Sequence, residues 1–221
     1  MNKEYHKIET LFERERDTET KKLIMGKFRN PTVEYLKDAV WQFTEKVDGT
    51  NIRVHWDGHK VSFAGRTDRA QIPNHLLELL EVLFGGEVNE QIFEQTFGEK
   101  EVTLYGEGYG HKIQKNGYID GGVGFILFDV FVGDIPLRRE DVEKLADVFH
   151  IRAVPVLFEG TLQDGIWCVR NHFKSFVADL SVHKDNIAYM EGLVARPKVE
   201  MRDRFGNRII VKIKYNDFKE D

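Results

Sequence analysis

The chain has 221 residues, 41% hydrophobic, 31% charged and 12% aromatic, a globular composition with enough length for one sizeable core or two small ones. The first residues, MNKEYHKIETLFERERD, contain no apolar signal segment, and the longest strongly apolar run, Val123 to Val132, is half of what a membrane span needs. Cys168 is the only cysteine, which excludes an internal disulfide and a cysteine-based zinc site and leaves a cytoplasmic enzyme as the default expectation.

In chain order, residues 8–24 mix charge with scattered apolar positions and are expected to form a helix or a partly ordered lead-in. Val40–Val47 reads as a strand. Asn51–Trp56 and Lys60–Gly65, joined by Asp57-Gly58, read as a β-hairpin. Asn74 is placed to cap an apolar helix through Phe84, stopped by Gly85-Gly86, and a second helix is expected over Asn89–Phe97. Glu101–Gly106 and Gly124–Val132 read as strands, the latter buried on both faces. Val142, Leu145, Ala146 and Phe149 recur at helical spacing after Leu137. Further strands are expected at Val154–Phe158, Glu191–Arg196 and Arg208–Tyr215. Strands and helices without strict βαβ alternation predict an α+β fold with largely antiparallel sheets. No repeat or flexible linker interrupts the chain, so a single domain over 1–221 is expected.

Net charge is −5, yet Arg196, Lys198, Arg202, Arg204, Arg208, Lys212 and Lys214 against Glu200 and Asp203 give this segment +5, leaving −10 for the remainder. Such a basic segment on an acidic body suits a phosphate-facing surface as well as it suits a solvated hairpin. The histidines are dispersed without ligand spacing. GEGYG lacks the lysine and following helix of a phosphate-binding loop, and Cys168 reads as buried packing.

Six short stretches carry the chemistry. They are Glu45-Lys46-Val47-Asp48-Gly49-Thr50-Asn51, Ser62-Phe63-Ala64-Gly65-Arg66-Thr67, Leu104-Tyr105-Gly106-Glu107-Gly108, Phe125-Ile126-Leu127-Phe128-Asp129-Val130, Glu191-Gly192-Leu193-Val194-Ala195-Arg196-Pro197 and Ile210-Val211-Lys212-Ile213-Lys214. Any one alone is ordinary turn or strand chemistry. In this order they resemble the nucleotidyltransferase motifs of the DNA ligase, RNA ligase and capping-enzyme superfamily, over roughly residues 35–218. Asn51 and the segment Gly106–Asn116 look most like the RNA ligase 2 branch of phage and trypanosome-editing ligases. Asp48 departs from some close members of that branch, which carry histidine there.

The resemblance implies an ATP-grasp-like adenylyltransferase domain of antiparallel sheets flanked by helices. It implies Lys46 as the nucleophile that takes AMP from ATP, with Lys212 and Lys214 on the α-phosphate. Strand period two puts those two lysines on one face. Glu107 would hold the ribose, and Glu191 would help to place Mg²⁺ or Mn²⁺. Phe128 and Val194 would lie on the two faces of adenine, and Glu45, Asn51 and Arg66 would contact the nucleotide or the end being joined. The expected substrates are RNA ends or nicked duplex RNA. The chain ends seven residues after Lys214, so the expectation is a minimal catalytic domain, with no OB-fold or C-terminal helical domain, or one whose protein partner supplies the duplex-binding surface. A DNA nick ligase with the same chemistry, an mRNA guanylyltransferase and a non-catalytic nucleic-acid-binding module remain as rival readings.

Overall fold

The computed structural model describes residues 4–16, 19, 21–114, 118, 121–178 and 188–218. The chain runs through β1 (Glu9–Thr10), β2 (Phe12–Arg14), β3 (Leu23–Phe28), α1 (Pro31–Tyr35), β4 (Trp41–Lys46), β5 (Thr50–Trp56) and β6 (Val61–Ala64). Next come α2 (Asn74–Phe84), α3 (Gly86–Phe97), β7 (Val102–Gly110), β8 (Val123–Val132), β9 (Ile135–Pro136) and α4 (Arg139–Val148). It ends with β10 (Arg152–Ala153), β11 (Val156–Gly160), α5 (Leu162–Arg170), β12 (Gly192–Pro197), β13 (Val211–Lys214) and α6 (Tyr215–Phe218).

These elements form two compact units, each with its own core. The first comprises Met1–His6, Asp48–Val154 and Ala178–Asn186; the second comprises Lys7–Val47, Pro155–Val177 and Ile187–Asp221. The second unit is built on a sheet of order β1-β13-β12-β4-β11, antiparallel except for the β1–β13 pair. Its central strands β4, β12 and β13 alternate. Trp41, Phe43, Leu193, Ala195, Val211 and Ile213 are buried, and their sequence neighbours Gln42, Thr44, Lys46, Val194, Arg196, Lys212 and Lys214 are half-buried. A period of two in the sequence therefore becomes one apolar and one polar face. Helix α5 covers the apolar face through Leu162, Ile166 and Val169. Gly165 permits the close approach, because a Cβ there would collide with the Phe43 ring. Thr161 and Asp164 form a capping box that fixes where α5 begins.

The first unit is built on a sheet of order β10-β8-β7-β5-β6, with β9 on β8 and only the β8–β10 pair parallel. Its core face, Ile52, Val54, Trp56, Val102, Leu104, Phe125, Leu127 and Val130, packs with Leu76, Leu80, Phe84 and Phe93 of α2 and α3 and with Val142, Leu145 and Ala146 of α4. The β7–β8 register slips once. Tyr105 pairs with Asp129 and Gly106 with Leu127, which leaves Phe128 as an extra residue in a β-bulge. The bulge changes parity along β8. Phe125 and Leu127 face the core before it and Val130 after it, so Asp129 is carried off the core face although its strand is apolar. Asp129 is fully buried and accepts a 2.7 Å hydrogen bond from the Tyr5 hydroxyl.

The α+β fold and its antiparallel sheets agree with the sequence reading, and several boundaries are corrected. The described part of 8–24 forms short strands rather than a helix, because Leu11 and Phe12 seat in the second core while their charged neighbours stay outside. Pro73, not Asn74, precedes the first turn of α2, and no side chain caps it. Helix α3 begins at Gly86 rather than Asn89, since the positive φ of Gly86 (80°) lets two helices follow each other without a loop. Strand β7 continues four residues past Gly106. The strand expected at Val154–Phe158 begins only after Pro155, and the chain passes from the first unit to the second at that proline. The strand expected at Arg208–Tyr215 is shorter, because α6 starts at Tyr215.

Candidate active site

In the second unit, three strands bring the expected catalytic residues into register. Lys46 on β4 and Lys214 on β13 both pair with Gly192 on β12, so the three form one rung across the sheet. The next rung on the same face is Thr44, Val194 and Lys212. Gly192 sits between the two lysines without a side chain, and a Cβ there would collide with the Ile213 carbonyl. Glu191, one residue before β12, gives Oε2 to the Lys46 ammonium and Oε1 to that of Lys214. This cluster is largely sheltered, the side chains of Lys46, Glu191 and Lys214 being 23%, 14% and 32% exposed. Burial raises the Glu191 carboxyl, but the Lys46 charge, hydrogen bonds from Lys214 and Lys46 and the Lys214 charge outweigh it, so the group lies below the usual carboxylate range. The result is a carboxylate that stays ionised and holds two cations on a polar sheet face.

Glu45 does not belong to this cluster. Adjacent strand residues point to opposite faces, so Glu45 follows Trp41 and Phe43 onto the covered side and is 2% exposed. Its carboxylate accepts from Ser175 Oγ at 2.5 Å and from the backbone N–H groups of Phe176 and Val177 at 2.8 and 3.2 Å. Glu45 thus ties the 175–177 turn to the end of β4.

In the first unit, Asn51 on β5 lies directly across from Glu107 on β7, on the sheet face opposite the helical core. Asn51 Oδ1 is buried and has no hydrogen-bond partner among the described residues, an unmet acceptor of the kind a ligand donor satisfies. The bulge at Phe128 leaves its ring half-buried and off the core face, 5.1 Å from that of Tyr5 in an edge contact. The glycines around Glu107 serve packing. A Cβ at Gly106 would strike the Phe125 ring and one at Gly108 would strike Leu76, while Gly49 fits only because it too lacks a Cβ, which would meet the Gly108 carbonyl. Arg66 is exposed just beyond β6. Its turn is held by Arg53, a fully buried arginine that the sequence reading passed over. Arg53 donates to the Gly65 carbonyl at 2.8 Å and to Asp68 at 2.7 Å.

The basic residues of 196–214 are divided among ion pairs, the lysine rungs and an exposed turn. Lys198 pairs with Glu159 at 2.7 Å and Arg208 with Glu200 at 2.5 Å. Lys212 and Lys214 belong to the rungs just described. Arg202 and Arg204 stay exposed in the turn between β12 and β13, at the opposite end of those strands from Lys46, with Arg204 4.7 Å over the Phe205 ring. Cys168 is buried and its thiol is pushed up by burial, as packing requires. Among the described residues no three His, Cys, Asp or Glu side chains gather into a metal cage, and no helix is long and apolar enough to cross a membrane.

A family model described as RNA ligase matches residues 39–214. No curated protein matches the chain. Among solved structures it is similar to an RNA ligase of Naegleria gruberi. A mutant with AMP and Mn is 21% identical, with a TM-score of 0.60 over 85% of this chain and 53% of that one. The form with PPi gives the same figures. A further mutant, with ATP and Mn, is 20% identical, with a TM-score of 0.60 over 95% of this chain and 58% of that one. The chain thus spans about half the length of these structures, and the likeness establishes a shared fold.

Proposed function

The chain belongs to the RNA ligase family, and from that premise we propose that it is an ATP-dependent polynucleotide ligase that carries AMP on Lys46 and joins RNA ends, with nicks in duplex RNA or RNA/DNA hybrids as its substrates. The observation that supports this most is the rung of Lys46, Gly192 and Lys214, with Glu191 engaging both lysines. A lone lysine is a poor nucleophile at neutral pH because it is mostly protonated. Here Lys214 shares a carboxylate with Lys46, and Lys212 stands one rung away.

Three transfers follow. The Lys46 amine attacks the α-phosphorus of ATP, an N–P bond forms and pyrophosphate leaves. A 5′-phosphate oxygen then attacks the same phosphorus and frees the lysine. Finally the 3′-hydroxyl attacks the 5′-phosphorus and AMP leaves. Lys212 and Lys214 neutralise charge on the phosphates. Asn51 and Glu107 are assigned to the nucleoside, Phe128 and Val194 to adenine, and Arg66 to phosphate, for which its guanidinium fork is suited. Mg²⁺ takes oxygen ligands from one or two carboxylates plus substrate phosphates, and Glu191 fits that donor set for an ion arriving with ATP. When bound, such an ion would supply positive charge beside the phosphates. The Naegleria ligase, whose solved forms carry ATP or AMP with Mn, supports the cofactor assignment. We propose further that the two units serve as one adenylyltransferase module.

The experiment offers labelled ATP, GTP and NAD in turn, then presents the labelled protein with nicked duplexes carrying ribonucleotides or only deoxyribonucleotides at the 3′-hydroxyl end. Label from ATP alone, and faster sealing of ribonucleotide ends, are expected. Equal sealing of all-DNA nicks would move the protein to the DNA ligase reading, and absence of any label would leave only a binding module.

A further inference from the structure

Helix α5 turns Leu162, Ile166 and Val169 toward the sheet, which leaves Trp167 on its outer side, 61% exposed. The chain then folds back so that Phe173, 40% exposed, lies 6.0 Å from Trp167. Beside this pair is a column of rings. His172 stacks on Tyr215 at 3.5 Å and on Tyr189 at 4.3 Å, with interplanar angles of 4° and 19°. His172 takes a positive φ of 47°, where glycine is the usual choice. The backbone thus adopts an unfavourable conformation at a residue whose ring completes the column.

The ledge is tied by hydrogen bonds to one end of the catalytic sheet. Lys174 bridges to Tyr189, the Ser175 N–H donates to the Ala188 carbonyl at 2.9 Å, and Glu45 holds the turn at 175–177. Tyr215 directly follows Lys214, and its N–H donates to the Glu191 carbonyl at 2.9 Å. The sheet end that carries the Lys46–Gly192–Lys214 rung therefore also carries the ledge, on its α5 side. From Gly165 to Ala178 its charged side chains are basic. Residues 165–178 include Arg170, His172 and Lys174 and no carboxylate, in a chain whose acids outnumber its bases by 37 to 32. Arg170 and Lys174 are exposed, and neither forms an ion pair among the described residues.

Exposed rings interleaved with the exposed cations Arg170 and Lys174 are what a single polynucleotide strand needs: a π-face for each base and positive charge for the backbone. We propose that this ledge is a stacking platform for unpaired nucleotides of the RNA substrate where it continues as a single strand beyond the duplex that presents an end to Lys46. The inference rests on the ligase reading for its ligand class and supplies a contact surface that the motif residues do not. A protein surface would be an alternative occupant, but the exposed Arg170 and Lys174 beside the rings favour a polyanion.

Trp167 makes the test direct. The chain has three tryptophans, and Trp41 and Trp56 are buried. The full chain is titrated with a single-stranded RNA oligonucleotide bearing a 5′-hydroxyl, which binds but offers no phosphate to activate. The expected result is quenching of tryptophan emission that is lost in Trp167→Phe. Phe173→Ala and Lys174→Glu should each weaken RNA affinity, about tenfold for the aromatic and less for the lysine, while ATP labelling of Lys46 stays at the wild-type level. No quenching, or wild-type RNA affinity in both variants, overturns the platform. Emission that changes with protein concentration and not with RNA overturns it in favour of self-association. Absence of ATP labelling refutes the ligase reading instead, and the RNA titration still decides whether the ledge binds a strand.

Discussion

Both sheets turn one face to a core and keep the other for polar groups, but they reach that arrangement differently. In the second unit the pairing of β4, β12 and β13 is regular, and every second residue from Gln42 to Lys46 and from Lys212 to Lys214 lies on the polar face. In the first unit the polar face depends on one irregularity, the bulge that sets Phe128 outside the ladder and carries Asp129 away from the core. A regular ladder transmits sequence spacing directly into side-chain placement. A bulge resets that spacing, and its position follows from partner strands distant in sequence.

The largest effect is expected where the regular ladder converges. Glu191→Gln should lower the rate of Lys46 labelling by about two orders of magnitude, the scale seen when one preorganised electrostatic contact is lost. The same variant has a pH signature. The folded Glu191 carboxyl is depressed, so its stabilisation is complete above the ordinary value of 4.5 and is lost as pH falls through the lowered one. Melting temperatures of wild type and Glu191→Gln should differ at neutral pH and converge in acid.

Deleting Phe128 tests the bulge. Removing the extra residue restores regular pairing with Leu127 and Val130 still facing the core, so the fold should survive with a melting temperature lowered by only about 5 °C or less, roughly 2 kcal/mol at this chain length. The KM for ATP in the labelling reaction should rise about tenfold, the scale of one lost aromatic stack. Unfolding of this variant would mean that the bulge is required for the sheet itself.

Arg202 and Arg204 probe the far end of the β12–β13 pair. Two exposed arginines rather than a continuous basic surface give a salt slope of about 2, so duplex affinity should fall about tenfold between roughly 50 and 200 mM salt. Charge reversal at both should flatten that dependence and spare ATP labelling. The smallest functional effect is expected from Glu45→Gln. Losing charge-assisted hydrogen bonds to the 175–177 turn should cost about 2 kcal/mol, or about 5 °C in melting temperature, with the KM for ATP unchanged. A raised KM and an unchanged melting temperature would return Glu45 to the nucleotide.

Glu45 also shows how much could be read in advance. Its parity with Trp41 and Phe43 already places it on the covered face; its partners at 175–177 lie far away in sequence and could not be read. Parity correctly paired Lys212 with Lys214, and Asp57-Gly58 correctly marked the hairpin. What escaped has physical reasons. The strands within 8–16 are two and three residues long, too short for a period to show. Arg53 has no local signal, because a buried arginine is explained only by the Gly65 carbonyl and Asp68 that it meets in space. The bulge at Phe128 is fixed by β7, and nothing within β8 announces it.

The most direct measurement of the central claim is to incubate the protein with ATP and a divalent cation, digest it and locate the added mass by peptide sequencing. One AMP is expected, attached to Lys46 and released by acid as a phosphoramidate, with no adduct in Lys46→Ala of unchanged melting temperature. AMP on Lys212, Lys214 or any other residue, or an adduct that persists in Lys46→Ala, would contradict it.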